Sequence, residues 1–178
     1  MILAISGKKG AGKTSLAQLI KSKYGRDMSR PCYEIKSFAS PVYDVVSFVS
    51  GRAVWHLREH KDEVIHGLTI RQWLQKVGAA MRNEVYPDVW IDLLMRDYVS
   101  GVSHWIIDDL RYQNEAEALL DYPSFMIRLN GRGEEDTHES EHGLDKWAAW
   151  DWVHDNSGEM AELEDLANQI ANTLKGEK

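Results

Sequence analysis

Gly7-Lys8-Lys9-Gly10-Ala11-Gly12-Lys13-Thr14 follows directly on the apolar run Met1–Ser6, MILAIS. It precedes a stretch in which Leu16, Leu19, Ile20 and Tyr24 recur at helical spacing, with Gly25 placed to cap the helix. A buried strand, a turn of the pattern G-x-x-x-x-G-K-[ST] and an amphipathic helix are the parts needed to wrap backbone around an anion. Glycines let the chain curl so that successive N–H groups point inward at phosphate oxygens. The helix that opens at Thr14 adds the positive end of its dipole. Lys13 supplies a point charge for β- and γ-phosphates, and the Thr14 hydroxyl is a ligand for Mg²⁺. The bland alternative is a glycine-rich turn carrying a surface lysine. The strand before it and the helix after it argue against that.

Outward from this loop, apolar and helical stretches alternate. Tyr33–Phe38 reads as a second strand, Val102–Ile107 as a third that ends in Asp108-Asp109, Ser124–Asn130 as a fourth and Ala149–His154 as a fifth. Residues 40–98 read as mostly helical. Thr69-x-x-Gln72 is a capping box ahead of an apolar face of Ile70, Trp73, Leu74, Val77 and Met81; Pro87 ends that region, and Val89–Tyr98 opens another helix. A polar helix is expected near 112–121, and a last one buries Met160, Leu163, Leu166, Ala167, Ile170 and Leu174. Near-continuously apolar strands alternating with helices predict an α/β fold around a five-stranded parallel sheet. Ligands of such sheets sit at the carboxyl ends of the strands, which makes Gly7, Asp108, Asn130 and Asn156 neighbours of one crevice.

Composition narrows the function. The 178 residues suit one domain with a full core, and the chain has neither an internal repeat nor a Pro/Ser-rich linker. The formal net charge of −7 disfavours a nucleic-acid partner. No apolar run reaches the roughly 20 residues of a membrane span, and MILAISGKKG is too short and glycine-rich for a secretory signal. The single cysteine, Cys32, fits a reducing, cytoplasmic setting.

Beside the loop, Asp108 is a candidate to hold a metal's water shell and Asp109 to orient an acceptor, with Arg111 and Mg²⁺ offsetting the paired carboxylates. Arg128 and Arg132 flank Gly131 and are expected on a mobile connection near the crevice, where cations meet a transferring phosphoryl group. Glu134, Glu135, Asp136 and Glu139 do not suit a phosphate clamp. The aromatic side chains have two readings each: Trp73 leans to core, Trp90 divides between core and pocket wall, and Phe38 ends a strand beside the crevice. His138-Glu139-Ser140-Glu141-His142 fits the zinc-protease pattern H-E-x-x-H, yet it lies between Gly133 and Gly143 with acidic neighbours and no apolar face.

GKKGAGKTS, SFASPVYD, RQWLQKVGAAMRNEVYPDVW, IIDDLRYQNEAEAL, THESEHGLD and DWVHDNSGEMAEL occur in this order. Together they resemble the phage-type deoxynucleoside monophosphate kinases, P-loop relatives of adenylate and guanylate kinase. The resemblance covers nearly the whole chain, and IIDD-x-R-x-x-NEAE and Q-x-x-G-x-x-x-R are its more specific parts. It implies a three-layer P-loop NTPase fold in a single kinase domain: core 1–39, 99–130 and 147–178, a helical NMP-binding insertion at 40–98 and a short lid at 131–146. It also implies transfer of the ATP γ-phosphate to a deoxynucleoside monophosphate with Mg²⁺, and a homodimer as the default assembly. Gly10, Ala11, Gly12, Lys13, Thr14 and Ser15 would hold ATP phosphates, with Asn156 and Gly158 bordering the adenine. Thr14 and Asp108 would face the metal. Lys8, Lys36, Phe38, Arg71, Gln75, Arg82, Trp90, Asp109 and Arg111 would hold the acceptor, and Lys13, Arg128 and Arg132 would act on the transferring group. Two other readings stay open: a nucleotide-binding module without turnover, and a kinase for another small phosphate acceptor such as dephospho-coenzyme A.

Overall fold

The computed structural model describes residues 1–24, 32–133 and 142–176, with backbone only at 24 and 174–176. Gly25, the acidic stretch 134–141 with most of the H-E-x-x-H pattern and of the expected lid, and the side chains of Tyr24 and Leu174 lie outside it.

The chain forms two compact units, Met1–Ser37 with Val99–Lys178, and Phe38–Tyr98. The first is built on β1 (Ile2–Gly7), β2 (Glu34–Lys36), β5 (Trp105–Leu110), β6 (Ser124–Asn130) and β7 (Trp152–Asp155), in the order β2-β5-β1-β6-β7. Every pairing in it is parallel. β1 lies in the middle and is buried along its whole length. Its alternate residues Leu3 and Ile5, with Ile106, Ile127 and Leu129, pack on Leu16, Ala17 and Ile20 of α1 (Lys13–Tyr24) and Leu163, Leu166, Ala167 and Ile170 of α7 (Met160–Gly176). Residues of opposite parity, Ile2, Ala4, Ile107 and Met126, are equally buried. Both sheet faces are therefore out of solvent, as the continuous apolar strands require. A third helix of this unit, α6 (Gln113–Leu119), lies between α1 and α7 in the chain and is capped by the buried Glu115 carboxylate, which accepts from the amides of Arg111 at 2.9 Å and Tyr112 at 3.0 Å.

The strand boundaries differ from expectation where polar chemistry decides them. The third sheet strand begins at Trp105, not Val102, and runs through the aspartate pair to Leu110. Val102 is 72% exposed in a turn that the Val102 and Ser103 amides close on the Val99 carbonyl. The register slips inside the strand, since Ala4 pairs with Ile107 but Ser6 pairs with Leu110. The extra residue is a bulge at Asp108-Asp109, a device that re-aims side chains beside sites. The fifth strand starts at Trp152, because the Asp151 amide and carboxylate are both engaged with Met126.

The second unit is not wholly helical. Between α2 (Ser40–Ser50) and α3 (Val54–Glu59) on one side and α4 (Ile70–Ala80) on the other lies an antiparallel hairpin, β3 (Val64–Ile65) and β4 (Leu68–Thr69). Thr69 and Gln72 form the expected capping box. Tyr43, Val46, Leu57, Ile65 and Ile70 make the core, with Trp73, Leu74 and Val77 packed on it. The Trp73 indole donates to the Ile65 carbonyl at 2.9 Å, so Trp73 is a core residue. α4 ends in a π-helical turn, Met81–Val85, closed by the Tyr86 amide on the Met81 carbonyl at 3.0 Å. A short α5 (Val89–Met95) follows. Trp90 is 2% exposed and donates to the Gly78 carbonyl at 3.0 Å. Trp90→Phe removes that bond and some volume. It should cost about 2 kcal/mol, read as a lower urea midpoint at unchanged slope.

Candidate functional site

The loop Lys8–Gly12 leaves the end of β1 and turns back at once, with the Ala11 amide donating to the Lys8 carbonyl at 3.0 Å. Gly12 has φ +93°, and its carbonyl accepts from the Leu16 amide at 2.9 Å, which starts α1. The Lys13 ammonium is buried and donates to the carbonyls of Gly7 at 2.6 Å and Lys8 at 2.8 Å. The Thr14 hydroxyl donates to the Asp108 carboxylate at 2.8 Å. Two hard oxygen donors thus face each other at the loop's edge. Such a pair could hold a Mg²⁺ ion, which takes most of its ligands from water and phosphate. Among the described residues no group of three or more His, Cys, Asp or Glu could cage a metal by itself.

The bulge sends the second aspartate elsewhere. Asp109 accepts from the Ser37 hydroxyl at 2.6 Å. Lys36, at the end of β2, pairs with Glu34 at 2.6 Å and lies 5.2 Å from the centre of the Trp105 ring. Arg111 follows the end of β5 directly.

Arg128 lies inside β6 rather than on a mobile connection, opposite Ser6 in the register. Its guanidinium donates to Ser6 and Asp145, each at 3.2 Å, and to Asn130 at 3.3 Å, and it lies against the Trp150 ring. The hydrogen bond from His142, with Lys8 and Arg128 close by, holds the Asp145 carboxyl below its usual pKa. Arg128 and Asp145 line a cleft of about 370 Å³ with Lys8, Asn130, Leu144, Trp147, Trp150 and Val153. Arg132 lies beyond the strand, is exposed, and donates to the Gly158 carbonyl. Asn156 is buried; its amide donates to the Ala11 carbonyl at 2.9 Å.

The first unit thus brings together, at the carboxyl ends of its strands, Lys8, Gly10, Ala11, Gly12, Lys13, Thr14, Ser15, Lys36, Asp108, Asp109, Arg111, Arg128, Arg132, Asn156 and Gly158. Phe38, Arg71, Gln75, Arg82 and Trp90 belong to the second unit. There Arg71 and Gln75 are exposed one turn apart on α4, Arg71 reaching Asp62 at 3.3 Å, and Arg82 is half-buried in the π-helical turn. Phe38 and Trp90 are buried, and neither offers an open ring face. Sequence reasoning missed Ser6, Ser37 and Asp145 as partners of the charged groups. Ser6 alone carried a signal, as the one hydroxyl in an otherwise apolar strand.

A central parallel strand, a curled loop with a buried lysine, and a threonine–aspartate oxygen pair define an α/β protein of the P-loop class. Residues 42–169 match the profile of the deoxynucleotide monophosphate kinase family, and the chain belongs to that family. The matched stretch begins after the phosphate loop, so the loop and the family match are independent observations. A protein of Acanthamoeba polyphaga mimivirus, itself only provisionally described as a deoxynucleotide monophosphate kinase, is 26% identical over 187 residues covering 92% of each chain. An unliganded sugar kinase from Janibacter sp. HTCC2649 overlaps 94% of this chain and 92% of its own at a TM-score of 0.45 and 16% identity. Among the described residues no helix is long and apolar enough to cross a membrane.

A Cβ on Gly12 would lie 2.7 Å from the Asn156 amide nitrogen, at a φ that side chains disfavour. If the loop takes ATP as its sequence pattern predicts, Gly12→Ala should weaken that binding at least about tenfold by titration calorimetry, a loss of ~1.4 kcal/mol or more, with far-ultraviolet circular dichroism unchanged.

Proposed function

We propose that this protein transfers the γ-phosphoryl group of ATP to a deoxynucleoside monophosphate, giving ADP and a deoxynucleoside diphosphate. The observation that carries the reading is the buried Lys13 ammonium beside the Thr14–Asp108 oxygen pair, in a chain of a deoxynucleotide monophosphate kinase family. An acceptor phosphate oxygen attacks the γ-phosphorus, and the bond to the β–γ bridging oxygen breaks. The acceptor oxygen is already anionic at neutral pH, so no side chain has to remove a proton. Catalysis then reduces to alignment and to meeting charge on the transferring group.

Each residue has a role on this reading. The loop amides from Gly10 to Ser15 hold the phosphates of ATP. Lys13 exchanges its two carbonyl acceptors for β- and γ-oxygens. Thr14 and Asp108 would hold Mg²⁺, which when bound neutralises charge on the phosphate oxygens. Arg132, exposed and tethered among the described residues to a backbone carbonyl, is better free to swing than Arg128, whose guanidinium has three side-chain partners and a ring beneath it. Arg128 with Lys8 instead supplies a fixed positive field. In the first unit Lys36 and Arg111, at the ends of β2 and β5, are the candidates for an acceptor phosphate; the polar groups that the second unit offers an acceptor are Arg71, Gln75 and Arg82. Asp109, through its bond to Ser37, would hold the chain next to Lys36. Phe38 and Trp90, both buried, act in the second unit as packing and not as stacking surfaces.

The test is an ADP-release assay over dAMP, dGMP, dCMP, dTMP, their ribose counterparts and dephospho-coenzyme A. Turnover is expected with at least one deoxynucleotide. Lys13→Ala should lower kcat at least about 100-fold, roughly 3 kcal/mol of transition-state stabilisation. Asp108→Asn should raise the Mg²⁺ concentration needed for half-maximal rate. ATP binding without turnover on any acceptor would overturn the reading in favour of a binding module.

A further inference from the structure

The loop at Asp155–Gly158 is held more firmly than a loop that merely borders a ligand needs to be. Asn156 is 4% exposed, and its backbone amide donates to the Asn130 carbonyl at 2.9 Å. The Asp155 carboxylate folds back on the Ser157 amide at 3.0 Å. Gly131, at φ +90°, passes so close that a Cβ there would lie 2.7 Å from the Ser157 nitrogen and 3.1 Å from the Asn156 carbonyl carbon. The remaining group, the Asn156 side-chain amide, is spent on the Ala11 carbonyl, and this bond is buried.

That carbonyl has no helical donor of its own. α1 begins at Lys13, and the first carbonyl to accept a helical amide is that of Gly12. A buried carbonyl must nevertheless be paired. Ala11 C=O and Gly12 N–H belong to one planar trans peptide, so they point in opposite directions. Pinning the oxygen toward residue 156 turns the Gly12 N–H the other way, to the concave side of the loop where successive amides converge on an anion. The missing Cβ at Gly12 is what lets the Asn156 amide come this near.

We infer that Asn156 is a positioning residue: it fixes the peptide between Ala11 and Gly12 so that the Gly12 N–H is aimed at the polyphosphate before ATP arrives. This deepens the reading of the loop given above and rests on it. It moves Asn156 from the edge of the adenine to the back of the phosphate loop. It also ties that loop, through Asn130, to the strand that leads to Arg132.

The test compares tripolyphosphate, ATP and the best acceptor monophosphate by titration calorimetry on the wild-type protein, Asn156→Ala and Asn156→Asp. Melting temperature is followed in the absence of ligand. The positioning role predicts that both variants lose tripolyphosphate and ATP affinity by the same factor, about tenfold or more, which is ~1.4 kcal/mol. Affinity for the monophosphate alone should stay within about twofold, ~0.4 kcal/mol. A loss for ATP with none for tripolyphosphate would make Asn156 an adenine contact and overturn the inference. Wild-type affinities in the near-isosteric Asn156→Asp would overturn it too, as would a parallel fall of all three affinities with the melting temperature. A wild-type protein that binds neither tripolyphosphate nor ATP would instead sink the reading of the phosphate loop itself.

Discussion

A lysine ammonium almost out of solvent has to be surrounded by acceptors, because an unpaired buried charge is costly. Lys13 meets that demand with the carbonyls of Gly7 and Lys8, the two residues at which β1 becomes loop. The same ammonium therefore closes the loop on itself and stays within reach of an incoming anion. The conditions that allow it are set by neighbours. β1 must be central and dry, so that the loop leaves from a fixed point. α1 must begin at Lys13, so that the side chain emerges at the helix end where the dipole is positive.

The carboxylates beside this loop pose the opposite problem, since bare acids would repel a polyphosphate. Each is tied to a donor: Asp108 to Thr14, Asp109 to Ser37, Asp145 to Arg128 and His142. The bulge in β5 is what accommodates two adjacent aspartates with separate partners. A chain of net charge −7 can in this way present cations at the strand ends while its acids lie elsewhere or are engaged.

Much of the core was legible because period and punctuation agreed. The apolar runs at 2–6, 105–107 and 125–127 read as buried strands, and the Gly-rich turn between strand and helix reads as a curl around an anion. The Thr69-Gln72 cap was readable as a local pattern. What escaped were features that depend on partners distant in sequence. Asp108-Asp109 looks like a strand terminator until Ser6 pairs with Leu110 and the bulge holds both residues in the ladder. Arg128 looks like part of a polar connection until Ser6 and Asp145, 122 and 17 positions away, fix it in β6. The hairpin at 64–69 is too short for a period to show, and the π-helical turn after α4 leaves no mark in composition.

Trp90 shows why residue type alone misleads about a site. An indole in a chain expected to bind a nucleotide invites a stacking role, and its position at the start of a helix kept that open. Its N–H is spent on the Gly78 carbonyl, where α4 nears its π-helical turn, and its ring is buried in the process. The ring could meet a base only by giving up both the hydrogen bond and the packing. Arg71 and Gln75, two of the polar side chains that α4 leaves exposed, carry no such packing, Arg71 being held by its exposed ion pair with Asp62. Selection of a base by hydrogen bonds would then be open to the same helix whose packing the tryptophan secures, and the two tasks need not compete for one side chain.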